Sequence, residues 1–141
     1  MGDNTSQFFE EGNPRILVVD DLPADLELLQ RLLAELSAEV IPARSGEEAL
    51  ALAREHEFAL ALVDVQMPGM DGFETVERLH RLQAARDLPV IFISAFFADD
   101  AYSFDGTRSG AVGFLEKPIV PELLLGRVRL FVDMYLSLIH I

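Results

Sequence analysis

The chain has 141 residues, enough for one domain with its own hydrophobic core, and 50% of its residues are hydrophobic. It contains no cysteine, which excludes disulfides, thiolate catalysis and Cys-ligated zinc. Its net charge of −13 argues against nucleic-acid binding by this domain, and no apolar run reaches the roughly 18 residues that would cross a membrane.

The N-terminal segment, residues 1–14, is polar and acidic and has neither the basic nor the apolar region of a signal peptide. It predicts a disordered leader, and a cytoplasmic protein is expected. From residue 15 onwards, apolar runs alternate with stretches of helical period, which is typical of a parallel sheet covered by helices on both faces. The predicted strands are residues 15–19, 39–42, 58–63, 89–93 and 112–115. The predicted helices are residues 23–37, 45–56, 73–82 and 99–109, and a fifth that begins at Pro121.

Local signals support several of these elements. Pro42 in the second strand predicts a position at the sheet edge, where its missing N–H is tolerated. Ser45, followed three residues later by Glu48, is a capping box that predicts the start of the second helix. In the first helix, leucines at helical spacing predict the buried face, and they are Leu22, Leu26, Leu29, Leu33 and Leu36.

Polar side chains follow four of the predicted strands at the point where each strand ends. Asp20 and Asp21 follow the first strand, Asp64 the third, Ser94 the fourth and Lys117 the fifth. In open parallel sheets, ligands bind beyond the carboxyl ends of the strands, where the strand order reverses. Three carboxylates that converge there predict a cation site, because charges near a core are rarely left without partners. All-oxygen ligation suits a hard ion such as Mg²⁺, and no glycine-rich loop follows the first strand to cradle a nucleotide.

The same residues predict a chemistry. With a metal bound, Asp64 is a candidate nucleophile toward a phosphoryl group, with which it would form an acyl phosphate. The metal and Lys117 would neutralise the phosphoryl oxygens, and Ser94 could donate a hydrogen bond to one of them. Without a cation the site is costly, since two like charges about 4 Å apart repel by about 4 kcal/mol at an effective dielectric of ~20. A simpler alternative stays open for the acid pair, because Asp20 and Asp21 could merely cap the following helix.

Four segments of the chain resemble the receiver domains of two-component response regulators. They are residues 16–21 (ILVVDD), residues 64–72 (DVQMPGMDG), the pair Ser94-Ala95 and the pair Lys117-Pro118. The resemblance covers most of the chain. It implies a single doubly wound (βα)5 α/β domain over residues 15–138, of the flavodoxin-like class, with a five-stranded parallel sheet of order 2-1-3-4-5.

The resemblance also implies how the acidic residues act. Asp64 would be the phosphoacceptor, which takes its phosphoryl group from a histidine kinase or a phosphotransfer protein. Asp21, Asp64 and the backbone carbonyl of Gln66 would ligate Mg²⁺ directly, and Asp20 would contribute largely through water. Mn²⁺ is expected to substitute for Mg²⁺.

Other residues would respond to the presence of the phosphoryl group. The resemblance implies that Ser94 and Lys117 sense it, and that Phe114 is the switch aromatic that turns inward as Ser94 moves. It also implies a cis bond between Lys117 and Pro118. Phe96 departs from the family's usual pattern, and one hypothesis is that it shields the acyl phosphate from water. The alternative is that Phe96 only packs under a loop.

The leading interpretation is a phosphorylation-switched signalling module of a two-component system. It is not expected to be an enzyme, beyond catalysing its own phosphorylation and slow dephosphorylation. Two alternatives stay open: a receiver-like interaction domain without phosphotransfer, and a phosphatase with an aspartate nucleophile. The phosphatase is disfavoured because the sequence offers no second acid placed for general acid catalysis. The sequence does not identify the partner kinase or the downstream effector.

The last predicted helix carries more apolar residues than one buried stripe requires. Excess apolar surface on such a helix often marks a protein interface. One hypothesis is a homodimer that forms through the last two helices and the fifth strand. The other is that the chain was cut from a longer protein, so that residues 139–141 belong to a truncated continuation of the helix.

Overall fold

The computed structural model of the protein describes residues 13–95 and 111–139. Its strands are Arg15–Val19 (β1), Glu39–Ala43 (β2), Leu60–Asp64 (β3), Val90–Ser94 (β4) and Ala111–Glu116 (β5). Its helices are Pro23–Leu33 (α1), Gly46–Glu55 (α2), Gly72–Leu79 (α3) and Pro121–Ile139 (α4), and a 3-10 turn, Gln83–Ala85, follows α3. The predicted helix over residues 99–109 and most of the predicted leader lie outside the described residues. Within the described part of the chain, no helix is both long and apolar enough to cross a membrane.

The five strands form one parallel sheet of order β2-β1-β3-β4-β5. Strand β1 pairs with β2 and β3, and β4 pairs with β3 and β5. The predicted doubly wound order is confirmed, and so is the edge position of β2, the strand that contains Pro42. Because the chain runs from β1 to the edge at β2 and then returns to β3, the strand order reverses between β1 and β3. An open sheet binds its ligands at this point.

Alternate residues of the central strands face opposite layers of the core, as the two-residue period of a strand requires. Leu17 and Val19 of β1 pack in the layer that α2 and α3 cover, whereas Ile16 and Val18 pack in the layer of α1 and α4. Strand β3 contributes to both layers, and its residues 60–63 have no exposed surface. Fully burying a Val or Leu side chain stabilises a fold by about 1.5–3 kcal/mol. The two layers therefore anchor β3 and the acid at its end.

Helices α2 and α3 begin at side-chain caps. The Ser45 hydroxyl accepts a hydrogen bond from the Glu48 N–H at 3.1 Å, as the capping box predicts. In a capping box the Glu side chain also accepts a hydrogen bond from the N–H of the cap residue, which here is Ser45. Glu48 Oε1 instead accepts from the N–H of Arg44, one residue earlier, at 2.6 Å. At α3, Asp71 Oδ1 accepts from the Glu74 N–H at 2.8 Å. Such caps contribute about 1 kcal/mol each, and the second fixes the start of α3 directly after the loop that leaves β3.

The first and third helices are shorter than predicted. Helix α1 ends at Leu33 instead of residue 37, because the N–H groups of Ala34 and Leu36 bond to carbonyls three residues back and tighten the last turn before β2. Helix α3 ends at Leu79 instead of residue 82 for the same reason. The prediction that Leu22 belongs to the buried stripe is wrong. Its side chain is 51% exposed, because Leu22 is the extended N-cap residue of α1 and not part of the helical face.

Candidate functional site

The polar residues of the predicted site lie at the ends of the strands, beside the point where the strand order reverses. Asp64 is the last residue of β3 and Ser94 is the last residue of β4, so both belong to the strands that they were predicted to follow. Asp64 is 5% exposed and Ser94 is fully buried. Asp20 follows β1 directly and is buried, whereas Asp21 is half-buried.

Three carboxylates converge at this edge. One oxygen of each of Asp20, Asp21 and Asp64 lies within 4.8 Å of the other two. The acids meet because β1 and β3 are paired in register, with Val19 opposite Val63. An all-oxygen donor set of this kind fits a hard divalent cation such as Mg²⁺, which would offset the repulsion between the carboxylates.

Lys117, the single lysine of the sequence, brings positive charge to the site. Its Nζ donates to Asp25 Oδ2 at 2.8 Å and to Asp20 Oδ2 at 3.1 Å, and it lies 3.5 Å from Asp64 Oδ1. The backbone N–H of Lys117 donates to the carbonyl of Ser94 at 3.0 Å. This bond fixes the backbone of Lys117 against the end of β4. The ammonium is shared among three carboxylates, and its contact with Asp64 is the longest.

The pKa of Asp64 is raised from its ordinary value of 3.8 to about 6. Burial is the main cause, because it disfavours the charged carboxylate, and the negative charge of Asp20 adds to the effect. Lys117 and a hydrogen bond from the backbone N–H of Gln66 oppose the shift without cancelling it. Asp64 is therefore ionised at neutral pH at a cost in folding free energy, which a bound cation would reduce.

The pKa values of Asp20 and Lys117 shift within the same cluster. Burial raises the pKa of Asp20, although Lys117 and the Leu22 N–H, which donates to Asp20 Oδ1 at 3.0 Å, oppose the rise. Burial would lower the pKa of Lys117. The hydrogen bond to Asp25 and the charges of Asp20 and Asp64 together outweigh burial, so the pKa of Lys117 is raised. The lysine is therefore a permanent positive charge at neutral pH.

The remaining predicted residues are Pro118, Phe114 and Phe96. The peptide bond between Lys117 and Pro118 is cis. Phe114 on β5 is half-buried, and its ring centroid lies 5.5 Å from that of Phe92 in the core. Phe96 lies outside the described residues, so its shielding of the acyl phosphate stays a hypothesis.

Asp25 is absent from the predicted site, although it makes the shortest contact with Lys117. It lies in the first turn of α1, the helix that follows the acid pair. The sequence did contain a signal for Asp25. Helix α1 begins just after β1, a strand that ends at the site, so an acid in the first turn of α1 lies at the same end of the sheet. In sequence, however, such an acid looks like any acid that interacts favourably with a helix N-terminus.

Comparisons with known proteins agree with this geometry. The family model of the response regulator receiver domain matches residues 16–129. The response regulator PleD of Caulobacter vibrioides is 42% identical over 115 residues, which cover 82% of this chain and 25% of PleD. The sensor protein GacS of Pseudomonas syringae is 40% identical over 110 residues, which cover 75% of this chain and 12% of GacS. The solved structure of the chemotaxis protein CheY4 of Vibrio cholerae has a TM-score of 0.77 and 31% identity, over 83% of this chain and 97% of CheY4.

The chain spans a quarter or less of PleD and GacS, but it matches nearly the whole of CheY4. The similarity therefore concerns one domain of the longer relatives. What PleD and GacS do as whole proteins does not transfer to this chain.

Proposed function

The chain belongs to the family of response regulator receiver domains, and we propose that it is a phosphorylation-switched signalling module of a two-component system. Receiver domains interact with histidine kinases or phosphotransfer proteins, and such a partner would donate a phosphoryl group to Asp64. The position of Asp64 supports this function most strongly. It is a buried carboxylate at the end of the central strand, close to Asp20, Asp21 and the single lysine of the chain.

Asp64 is better suited than Asp20 to attack a phosphoryl group. Both oxygens of Asp20 already accept hydrogen bonds, one from the Leu22 N–H at 3.0 Å and one from Lys117 Nζ at 3.1 Å. Asp64 accepts a hydrogen bond from the Gln66 N–H, but Lys117 lies farther from it, at 3.5 Å. In the proposed step, a carboxylate oxygen of Asp64 bonds to phosphorus while the bond from phosphorus to the donor histidine nitrogen breaks. The electron pair leaves with the histidine, and an acyl phosphate remains on Asp64.

Positive charge has to balance the phosphoryl oxygens. Asp21, Asp64 and the backbone carbonyl of Gln66 would hold Mg²⁺ or Mn²⁺, and Asp20 would act largely through water. When bound, the ion neutralises charge on the acid cluster and on the transferring group. Lys117 adds a charge that is always present, and its contacts with Asp20 and Asp64 support this role.

Ser94 and Phe114 are the proposed route by which phosphorylation changes the protein surface. Ser94 is fully buried at the end of β4 and pairs with Glu116 of β5 in the sheet register. Phe114, two residues earlier on β5, packs half-buried against the core. If the Ser94 hydroxyl moves toward a phosphoryl group on Asp64, it leaves space that the Phe114 ring can enter. The signal then reaches the β5 edge of the sheet.

Beryllofluoride with Mg²⁺ separates the candidate functions, because it binds a carboxylate as a mimic of the phosphoryl group. The proposal predicts that the amide resonances of Ser94 and Phe114 shift in the wild type and stay unchanged in Asp64→Asn. An interaction domain without phosphotransfer predicts no shift in either protein, and this result would contradict the proposal. Repeated turnover of a generic phosphate ester would instead favour the phosphatase.

Self-association through α4 and β5 is a second proposal about the same switch. The apolar residues of α4 form two stripes, one buried against the core and one 50–67% exposed that consists of Leu123, Leu130, Met134 and Leu138. Their spacing of seven, four and four residues places the exposed stripe along one side of the helix. Arg127, on the same side, donates to the Phe114 carbonyl at 3.4 Å, which places the N-terminal part of this stripe beside β5. Its C-terminal part, Met134 and Leu138, borders the segments that precede β3 and β4. Sedimentation with beryllofluoride bound is expected to show dimers, and monomers at high concentration would contradict the proposal.

A further inference from the structure

We propose that Asp25 is a positioning residue for Lys117. In the phosphate-free protein the Asp25 carboxylate holds the Lys117 ammonium away from Asp64. A phosphoryl group on Asp64 then has to draw the ammonium away from Asp25. This inference rests on the proposed function, since it concerns the lysine that would contact the phosphoryl group.

The three carboxylates around Lys117 hold its Nζ unequally. The distance is 2.8 Å to Asp25, 3.1 Å to Asp20 and 3.5 Å to Asp64. Hydrogen bonds between an ammonium and a carboxylate have lengths of about 2.7–2.9 Å. The contact with Asp25 is therefore a full charge-assisted hydrogen bond, whereas the contact with Asp64 is a looser ion pair.

Asp25 also differs from the other two acids in its surroundings. The side chains of Asp20 and Asp64 are 1% and 6% exposed, whereas that of Asp25 is 32% exposed. The two buried acids already outnumber the single charge of Lys117, so Asp25 is not needed to neutralise it. From the first turn of α1, Asp25 instead fixes the direction in which the ammonium points.

A phosphoryl group on Asp64 would change this balance. A phosphorylated side chain carries about −1.5 to −2 charges at neutral pH, more than the carboxylate it replaces. Lys117 would then be drawn toward Asp64 and would weaken or lose its bond to Asp25. Because breaking that bond opposes phosphoryl binding, removing the charge of Asp25 should make the binding tighter.

The side-chain signal of Lys117 tests the contact directly. Since the chain has one lysine, protein labelled with 15N-lysine gives one Nζ resonance. In phosphate-free protein, Asp25→Asn is expected to shift this resonance and to speed the exchange of the ammonium protons. Glu27→Gln is the matched control, because it removes the same charge from α1 at a residue that pairs with Arg31. An unchanged Nζ resonance in Asp25→Asn would overturn the inference.

The affinity for beryllofluoride with Mg²⁺ tests the consequence. Asp25→Asn is expected to bind about fivefold more tightly than the wild type, the scale of a partly exposed ion pair. Glu27→Gln is expected to bind like the wild type, and Asp25→Glu, which keeps the charge, should tighten binding less than Asp25→Asn. Equal tightening in Asp25→Asn and Glu27→Gln would reveal a general charge effect and would overturn the positioning role. If the wild type itself did not bind, the proposed function would fail, while the Nζ resonance would still report on Asp25.

Discussion

Replacing Asp64 with asparagine is expected to make the metal-free protein more stable at neutral pH, by about 1–3 kcal/mol. The pKa of Asp64 is about 6 in the folded protein, against an ordinary value of 3.8. A carboxyl group whose pKa is raised by folding lowers the free energy of unfolding as the pH rises through these two values. This loss of unfolding free energy is absent below about pH 4 and complete above about pH 6. Asparagine avoids the loss because it does not ionise.

Urea unfolding in EDTA, at neutral pH and at about pH 4, measures this difference. The gain of Asp64→Asn should be present at neutral pH and should vanish in acid. Added Mg²⁺ should stabilise the wild type more than the variant, because it binds the acid cluster that the variant lacks. Asp87→Asn is the control, since Asp87 is exposed and precedes β4, at the end of the sheet opposite the acid cluster. A metal-free Asp64→Asn protein that unfolds more easily than the wild type would show that the acid cluster carries no such penalty.

Gly72→Ala is expected to destabilise the protein by about 3 kcal/mol, because a Cβ at this position has no space. It would meet the carbonyl oxygen of Asp64 and would lie 2.8 Å from the Cα of Val65. Both are backbone atoms at the end of β3, and the Gly72 N–H also donates to the Val65 carbonyl at 2.9 Å. The chain can relieve the clash only by moving α3 or the end of β3. Since a displacement of about 1 Å can lower a rate by about 100-fold, phosphorylation of Asp64 should slow as well.

Gly126→Ala provides the matched control for this substitution. Gly126 lies within α4, and apart from its chain neighbours and the backbone of that helix a Cβ there would meet no atom within 4 Å. Alanine should therefore stabilise the helix, by about 1 kcal/mol relative to glycine. Urea unfolding of both variants should give changes of opposite sign. A Gly72→Ala protein within about 0.5 kcal/mol of the wild type would contradict the close packing of α3 against the end of β3.

Periodicity predicts most of this fold because the central strands are buried on both faces. The continuous apolar run before Asp64 identifies β3, and the alternation with helical segments identifies the parallel sheet. Helix ends are less predictable, since α1 stops at Leu33 through backbone hydrogen bonds that leave no mark in composition. Leu22 fits the helical spacing but precedes the helix, so its exposure depends on where the cap falls.

The candidate site was predictable to the extent that its residues end strands. Asp20, Asp21, Asp64 and Lys117 come together because parallel strands deliver their carboxyl ends to one edge. Asp25 was not predictable in this way, because it lies in the first turn of a helix and does not end a strand. Nor does the sequence reveal how unequally Lys117 is shared among the acids. That inequality depends on side-chain distances that only the packed structure fixes.

Phosphoryl transfer to Asp64 can be tested by trapping the acyl phosphate that it forms. The protein would be incubated with Mg²⁺ and acetyl phosphate, reduced with borohydride, and mapped by mass spectrometry. Borohydride converts a phosphorylated aspartate to homoserine and leaves free carboxylates unchanged. Phosphorylation of Asp64 predicts homoserine at that residue alone, and none when EDTA replaces Mg²⁺. Homoserine at Asp20 or Asp21, or an unmodified chain under conditions that bind Mg²⁺, would contradict it.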